Sequence, residues 1–322
     1  MKKRNKKIST ANFNDPQKGF DSTSKRIVFS ALILIVAVMI GTFFFITYKY
    51  GSFSNMFIGE TTEATTEEQT EKREIKNVDG KKNYLFAVTS PGESEIYNIF
   101  MLGVNMTENK ASIVSLPVYT VDSSERTLEE EFKLGGISQI EYVLERMFSV
   151  DFDYRLCATQ NGFKFFLTEL GKSVKFNVPE DLQFSTTNYT VSLTKGNQEL
   201  SFDNFVKLMR YEEWGEQPAD SYRMQGELIK ALFEQYATLK NVTRDVDKFT
   251  YRMTHIKSNI SSEDYVNDLD ALEYIGATNF KISVISPEGK FSGSGKNRSF
   301  KMSAGTIKSI GESFNLTPVE NE

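Results

Sequence analysis

The sequence has little of the chemistry on which many catalytic and metal sites depend. Among its 322 residues there is one cysteine, Cys157, and one histidine, His255. A single cysteine excludes an intrachain disulfide, a thiolate zinc site and a CxxC redox pair, and a single histidine excludes a multi-histidine metal site. Any chemistry in this chain must therefore depend mainly on carboxylates, arginine, lysine and hydroxyl groups. Of these, the carboxylate and hydroxyl oxygens favour a hard cation.

The sequence also lacks a broad excess of positive charge. It contains 38 Lys and Arg against 43 Asp and Glu, a formal net charge of −5. Residues 1–26 hold eight cations and two anions, a net charge of +6, and the remaining 296 residues hold 30 cations and 41 anions, a net charge of −11. Because few cations are available to replace counterions along a phosphate backbone, we expect no nucleic-acid partner.

Long apolar runs are absent apart from one. Residues Ile27 to Thr47 are 21 consecutive uncharged and mostly apolar positions, which as a helix span about 30 Å, the thickness of the hydrocarbon layer. A cleaved signal peptide is the alternative, but its apolar region usually has about 7–15 residues and ends at a small-x-small site. We therefore expect an uncleaved transmembrane helix over residues 27–48 and a cationic cytoplasmic tail over residues 1–26. The protein is then single-pass in the cell membrane, and the rest of the chain is extracytoplasmic.

The composition changes twice after the apolar run. Residues 49–81 are rich in Thr and Glu. They have so little apolar surface that its burial would not offset the conformational entropy lost on ordering them. We interpret them as a stalk. From residue 82 the pattern becomes apolar and periodic, and we find neither a repeat nor a linker after this point. Residues 82–318 therefore predict one α/β domain.

Short apolar runs and helical spacings alternate along this domain. The predicted strands cover residues 84–88, 96–104, 111–116, 152–158, 174–178 and 282–285. The predicted helices cover residues 137–147, 163–170, 202–209 and 228–236. Runs bounded by turn residues predict strands, and the four-residue loop before residue 111 predicts a hairpin. Ser201 and Asp220 are the predicted N-caps of the third and fourth helices.

Several short motifs follow one another at characteristic intervals. Residues 83–89 read N-Y-L-F-A-V-T, residues 112–119 read S-I-V-S-L-P-V-Y, Gly135–Gly136 precedes a helix, and residues 209–211 read M-R-Y. In order and spacing these motifs resemble the LytR-CpsA-Psr (LCP) family of bacterial cell-envelope proteins, whose domain is also called the cell envelope-related transcriptional attenuator domain. The resemblance covers roughly residues 82–290. It implies a single extracytoplasmic α/β/α domain with a central mixed sheet.

The resemblance also implies a chemistry, and the sequence departs from it. Family enzymes transfer a glycopolymer from a polyprenyl-pyrophosphate carrier to peptidoglycan, with a divalent cation held by acidic residues and with arginines that neutralise the pyrophosphate. Where the family has carboxylates, this sequence has Thr89, Tyr97 and Tyr119, and Val118 replaces an arginine. These substitutions remove the charges that would draw Mg²⁺ from water. We therefore predict a degenerate site with no catalytic residue, no metal ligand and no cofactor.

Four residues remain as candidate ligands of a pyrophosphate or a lipid-linked glycan. They are Arg126, Arg210, Arg223 and Gln225. Arg126 lies beside the position where the family has a lysine, and Arg223 and Gln225 are fragments of the family's D-x-G-R-x-x-R-Q signature. A cation on a helix surface is an equally good interpretation of Arg210. For Arg223 and Gln225 a remnant of the site is the favoured interpretation, and a chance match is the alternative.

Four further features have simpler interpretations. Cys157 fits a small core residue, His255 an exposed helix residue, and Glu129-Glu130-Glu131 a solvated face. Trp214 fits either a ring that stacks on sugar or the anchor of a loop.

These observations leave three hypotheses about function. The first is a catalytically degenerate LCP-like protein that binds polyprenyl-linked glycopolymer or assists wall assembly. The second is an active phosphotransferase that uses Arg210, Arg223 and Arg126 with Mg²⁺ and other carboxylates. The third is a signalling or scaffolding protein whose cytoplasmic tail recruits a partner. The implied partners are membrane lipid and polyprenyl-linked glycopolymer, peptidoglycan or wall-assembly proteins.

Overall fold

The computed structural model describes residues 74–185 and 190–315. The predicted cytoplasmic tail and transmembrane helix, and most of the predicted stalk, lie outside the described residues. No helix within the described ranges combines the length and the apolar character that a membrane span requires.

The strands of the described ranges agree closely with the apolar runs of the sequence. They are β1 Lys81–Thr89, β2 Ile96–Asn105, β3 Lys110–Leu116, β4 Tyr154–Thr159, β5 Ser173–Val178, β6 Leu182–Ser185, β7 Thr190–Leu193, β8 Gly196–Ser201, β9 Ile256–Ser258, β10 Lys281–Ile285, β11 Gly289–Ser292 and β12 Ser299–Met302. All six predicted strands are present. The fourth starts at Tyr154 rather than at Phe152, which is buried just before it.

Helices follow the strands along the chain. They are α1 Leu128–Phe148, α2 Gln160–Leu170, α3 Phe202–Leu208, α4 Pro218–Tyr236, α5 Val246–Met253, α6 Ser262–Asn267, α7 Leu269–Ala277 and α8 Ala304–Phe314, with a short 3₁₀ turn at Gly295–Asn297. The four predicted helices correspond to α1, α2, α3 and α4. The alternation of strands and helices confirms the predicted α/β class.

A six-stranded mixed sheet forms the centre of the domain. Its strand order is β10-β3-β2-β1-β4-β9. β1 pairs antiparallel with β2, and β2 with β3, as the predicted hairpin requires. β4 runs parallel to β1, and β10 runs parallel to β3. The predicted central mixed sheet is therefore confirmed.

The central strand β1 sends alternate side chains to two hydrophobic cores. Leu85 and Ala87 pack on one face with residues of α1 and α8. Phe86 and Val88 lie on the other face, where α2, α3 and α4 pack. Because successive side chains of a strand point to opposite faces, one run of apolar residues supplies both cores. The sheet lies between two helical layers, an α/β/α arrangement.

The start of α1 differs from the sequence prediction. Thr127 caps the helix, and its side chain accepts a hydrogen bond from the Glu130 amide in a capping box. Glu131 is completely buried, where it accepts hydrogen bonds from Arg126 and from Gln139. The prediction of a solvated face over the three glutamates is therefore wrong for Glu131. A buried carboxylate needs such donors to compensate its lost hydration.

The N-caps of α3 and α4 give one confirmation and one correction. Ser201 caps α3 by accepting a hydrogen bond from the Asn204 amide at 3.2 Å. α4 begins at Pro218, ten residues before the predicted range 228–236 and two residues before the predicted N-cap Asp220, and Gln217 is its N-cap. Asp220 is therefore not the N-cap but the third helical residue, and its carboxylate accepts from the Gln217 amide at 3.1 Å.

Gly136 breaks α1 into two segments, and we predict that a side chain at this position destabilises the fold. Gly136 has φ 64° and ψ −150°, a combination that is essentially restricted to glycine. Gly136→Ala should lower the free energy of unfolding by about 1–3 kcal/mol, measured by chemical denaturation followed by circular dichroism. The control is Gly305→Ala near the start of α8, where a Cβ has space and φ is not positive. An equal loss in both variants would contradict this explanation.

Candidate functional site

The strand register brings the predicted site positions to one edge of the sheet. Thr89 ends β1 and pairs with Ile96, the first residue of β2. Leu116 ends β3 and pairs with Ile99 of β2. Antiparallel pairing therefore places Thr89, the start of β2 and the segment after Leu116 side by side. We call this region the strand edge. It contains the positions at which the carboxylates of the family are expected.

Neutral side chains at the strand edge form hydrogen bonds with backbone carbonyls. Thr89 is buried, and its hydroxyl lies within hydrogen-bond distance of the carbonyls of Ser90, at 3.2 Å, and Ala158, at 3.4 Å. Asn98 is also buried, and its Nδ2 donates to the carbonyl of Met209 at 2.7 Å. Within the described ranges, no group of three or more His, Cys, Asp or Glu side chains is arranged to hold a metal ion.

Two tyrosines, a glutamate and an arginine form a connected cluster beside this edge. The hydroxyls of Tyr119 and Tyr222 are hydrogen-bonded to each other, and Tyr222 donates to Oε1 of Glu212 at 3.2 Å. Arg298 donates to Oε2 of Glu212, and its guanidinium carbon lies 4.2 Å from the centroid of the Tyr119 ring. We call these four residues the tyrosine cluster. Within it, the charge of the carboxylate is compensated by the guanidinium.

The tyrosine cluster holds both phenols in their protonated form. Burial raises the pKa of Tyr119 to about 12, and the neighbouring Glu212 carboxylate adds to the rise. Burial also raises the pKa of Tyr222, again with a contribution from Glu212. Tyr119 is therefore an uncharged hydrogen-bonding group at neutral pH.

Two of the four candidate ligands lie at or near the strand edge. The guanidinium carbon of Arg210 lies 3.7 Å from the centroid of the Tyr97 ring, a cation–π contact. Gln225 is buried on α4, and its Oε1 accepts from the hydroxyl of Ser115 on β3 at 2.7 Å. Arg210 is thus brought to the edge, whereas the side-chain oxygen of Gln225 is already bonded to the sheet.

The other two candidate ligands have different partners. Arg126 pairs with the buried Glu131 and lines a polar cavity of about 710 Å³ on the side of the sheet that carries α1 and α8. Arg223 is half exposed in the first turns of α4 and lies 3.5 Å from the Asp220 carboxylate. Arg126, Arg210 and Arg223 therefore each contact a different residue. Their role as ligands stays a prediction.

The remaining predicted features are placed as follows. Cys157 is buried, as predicted, and burial raises the pKa of its thiol to about 11. His255 is exposed as predicted, but it lies in the turn between α5 and β9 rather than in a helix. Trp214 is 1% exposed, and its ring centroid lies 5.2 Å from that of Tyr211. The ring is therefore a loop anchor and does not offer a face to sugar.

An apolar pocket lies between the sheet and the helical layer that contains α2 and α4. Its volume is about 370 Å³. Rings from β1, β2 and α2 line its wall, among them Phe86, Phe100, Phe163 and Phe166. Phe86 and Phe100 are stacked with their centroids 4.9 Å apart. The sequence does not reveal this pocket, because the alternation of apolar residues along β1 and β2 is also that of a closed core.

The raised pKa of Tyr119 predicts a loss of stability in alkali. The unfolded chain releases this proton near pH 10 and the folded chain near pH 12, so the contribution of Tyr119 is complete below pH 10 and is lost between pH 10 and 12. Tyr119→Phe should reduce the decline in the free energy of unfolding over this interval, measured by denaturation at a series of pH values. Tyr142→Phe, at a tyrosine that is 51% exposed, should leave the decline unchanged. Equal declines in the wild type and Tyr119→Phe would refute the assignment.

Comparisons with known proteins agree with this architecture. The LytR_cpsA_psr family model matches residues 55–313. TagV of B. subtilis is similar in structure, with a TM-score of 0.60 and 17% identity over 75% of this chain and 100% of that chain. TagT bound to LI-WTA has a TM-score of 0.57 and 16% identity, over 76% and 93% of the two chains.

A third structure, described as a transcription regulator from Eubacterium siraeum DSM 15702, has a TM-score of 0.63 and 12% identity. It covers 80% of this chain and 98% of that chain. At these identities the structural likenesses concern the fold alone. The search of the curated proteins gives no match. The family match extends over most of the chain, and the protein belongs to the LytR_cpsA_psr family.

Proposed function

We propose that this protein is a membrane-anchored cell-envelope protein that binds polyprenyl-linked glycopolymer without transferring it. The observation that carries the proposal is the tyrosine cluster, which lies beside the strand edge where a family enzyme would need carboxylates. The proposal includes the transmembrane helix over residues 27–48 and an extracytoplasmic domain, both of which rest on the sequence pattern.

The apolar pocket supports binding of a prenyl chain. Its wall is formed by aromatic and aliphatic side chains from the sheet and from α2 and α4. Burial of a hydrocarbon chain contributes about 0.8 kcal/mol for each CH₂ group removed from water. TagT, a structural neighbour, has been solved bound to LI-WTA and to LIIa-WTA. Family membership together with this pocket favours a lipid-linked glycopolymer as the ligand.

The side chains at the strand edge do not provide the ligands that the divalent cation of the family enzymes requires. Mg²⁺ favours carboxylate oxygens in octahedral geometry, whereas Thr89 and Asn98 are neutral and bonded to backbone carbonyls. The carboxylate of Glu212 is already paired with Arg298. Without a cation, the charge that develops on a departing pyrophosphate would lack its main stabilisation. These contacts support binding without phosphotransfer.

An active phosphotransferase with a relocated site is less well supported. That hypothesis requires Arg126, Arg210 and Arg223 to act on one pyrophosphate. Arg126 is paired with Glu131 and Arg223 lies beside Asp220, whereas Arg210 stacks on the ring of Tyr97 at the strand edge.

We predict that the protein releases no product from a polyprenyl-pyrophosphate-linked glycan when Mg²⁺ is present. The assay incubates the purified protein with the labelled lipid-linked substrate and a peptidoglycan acceptor, and follows release of polyprenyl phosphate. An active family member serves as the positive control. Mg²⁺-dependent turnover above the protein-free blank would establish the phosphotransferase hypothesis instead.

Adjacent phenylalanines of α2 provide a matched test of binding. Phe166 lines the apolar pocket, whereas Phe165 packs on Tyr251 and His255. Phe166→Glu places a charge against the prenyl chain and should weaken the binding of a polyprenyl-linked glycan by about tenfold or more, a change of about 1.4 kcal/mol. Phe165→Glu should retain wild-type affinity. Both affinities can be measured by isothermal titration calorimetry, and equal affinities would argue against the pocket as the prenyl site.

A further inference from the structure

The cavity of about 710 Å³ on the α1 and α8 side of the sheet has a polar lining, and we call it the polar cavity. The second segment of α1 lines it with Gln139, Tyr142 and Arg146. Their spacing of three and four residues places these side chains on one face of the helix. The loop of residues 121–126 and Lys301 of β12 complete the lining. The apolar pocket lies on the other face of the sheet.

A buried carboxylate beside the polar cavity orients two of its side chains. Glu131 is completely buried, and its two oxygens accept from Nε of Arg126 and, at 2.7 Å, from Nε2 of Gln139. Half of the Arg126 side chain stays exposed in the cavity lining. Among the described residues, none accepts a hydrogen bond from the terminal nitrogens of Arg126. The guanidinium and the amide are therefore held in place with hydrogen-bonding capacity left for a ligand.

The loop that carries Arg126 is held by its own hydrogen bonds. The Asp122 carboxylate accepts from the amides of Ser124 at 2.9 Å and of Arg126 at 3.0 Å. The Asp122 amide in turn donates to the Arg126 carbonyl at 2.9 Å. Because the loop is already ordered, a ligand that contacts Arg126 has little conformational entropy to remove from it.

Tyr142 adds an aromatic surface to the polar cavity. Its side chain is 51% exposed. The guanidinium carbon of Arg146 lies 5.4 Å from the ring centroid, and Nη1 donates to the phenol oxygen at 2.5 Å. Val143 and Met302, which are both buried, form the apolar part of the lining. An exposed ring among planar polar side chains suits a ligand that combines apolar C–H faces with hydroxyl groups.

The charges around the polar cavity cancel. The charged side chains of the lining are three cations and two carboxylates, namely Arg126, Arg146, Lys301, Asp122 and Glu125. The buried carboxylate of Glu131 compensates the third cation. Without an excess of positive charge, the cavity has no preference for a phosphate over a neutral ligand. Sugar hydroxyls both donate and accept hydrogen bonds, and so match a lining that offers donors and acceptors together.

We propose that the polar cavity binds an uncharged stretch of a linear saccharide, with one pyranose ring packed on Tyr142. Arg126, Gln139 and Arg146 form hydrogen bonds with its hydroxyls, and Glu131 is a positioning residue that does not touch the ligand. The inference rests on the proposed function, to which it adds a saccharide site on the face of the sheet opposite the apolar pocket.

The test uses saccharides that carry no prenyl chain. Chitotetraose, cellotetraose and maltotetraose are titrated by calorimetry into the purified full-length protein in a detergent without sugar groups, and we expect saturable binding of at least one. Tyr142→Ala removes the ring and should weaken this binding by about tenfold or more, whereas Tyr142→Phe keeps the ring and should retain most of it. The control is Tyr251→Ala on α5, a tyrosine that is 53% exposed and lies outside the cavity lining, which should retain wild-type affinity.

Three results would overturn the saccharide site. They are the absence of binding for all three saccharides, an equal loss in Tyr142→Ala and Tyr251→Ala, and displacement of the bound saccharide by inorganic phosphate, which would indicate an anion site. Arg146→Met, which keeps the ring and removes a donor, should also weaken binding. If Tyr142→Ala does not fold, unchanged affinity in Arg146→Met would contradict the inference.

Farnesyl phosphate, titrated in parallel, reports on the proposed function separately because it has a prenyl chain and no sugar. We expect the wild type and Tyr142→Ala to bind it equally. Absence of this binding would count against the apolar pocket of the proposed function, whereas loss of saccharide binding alone would overturn only the polar cavity as a saccharide site.

Discussion

The two-residue alternation of the central strands is the constraint on which the rest of the domain depends. β1 lies between β2 and β4, with both faces of the sheet covered by helices. Leu85 and Ala87 therefore pack against α1 and α8, while Phe86 and Val88 face α2 and α4. A slip of one residue would exchange these faces. The same register aligns the ends of β1, β2 and β3 and so creates the strand edge.

The polar side chains at the strand edge are compensated within the fold. An isolated carboxylate at a buried position is unfavourable without a cation or several donors. Here the buried positions are taken by Thr89 and Asn98, which bond to backbone carbonyls, and by Tyr119, which bonds to Tyr222. Glu212 approaches the same region, and Arg298 neutralises it. The polar groups of this region therefore satisfy one another through hydrogen bonds and an ion pair.

The apolar pocket and the core on the same face are built from the same residue types. Phe100 and Phe163 belong to the hydrophobic core and also line the pocket. What distinguishes the pocket from a closed core is the space of about 370 Å³ between the sheet and the helices.

The sequence alone predicted the α/β class, six of the twelve strands and four of the eight α-helices of the described residues, because strand and helix periodicities and caps such as Ser201 act over a few neighbouring residues. It also identified the family, whereas the replacement of family carboxylates by Thr89, Tyr97 and Tyr119 stays a prediction. Only the tertiary structure decided which side chains meet. Glu131 is buried beside Arg126, Trp214 is an anchor, and Glu212 pairs with Arg298 across 86 positions of the chain. Local periodicity contains no information on such distant pairs, whose contacts depend on the packing of whole elements.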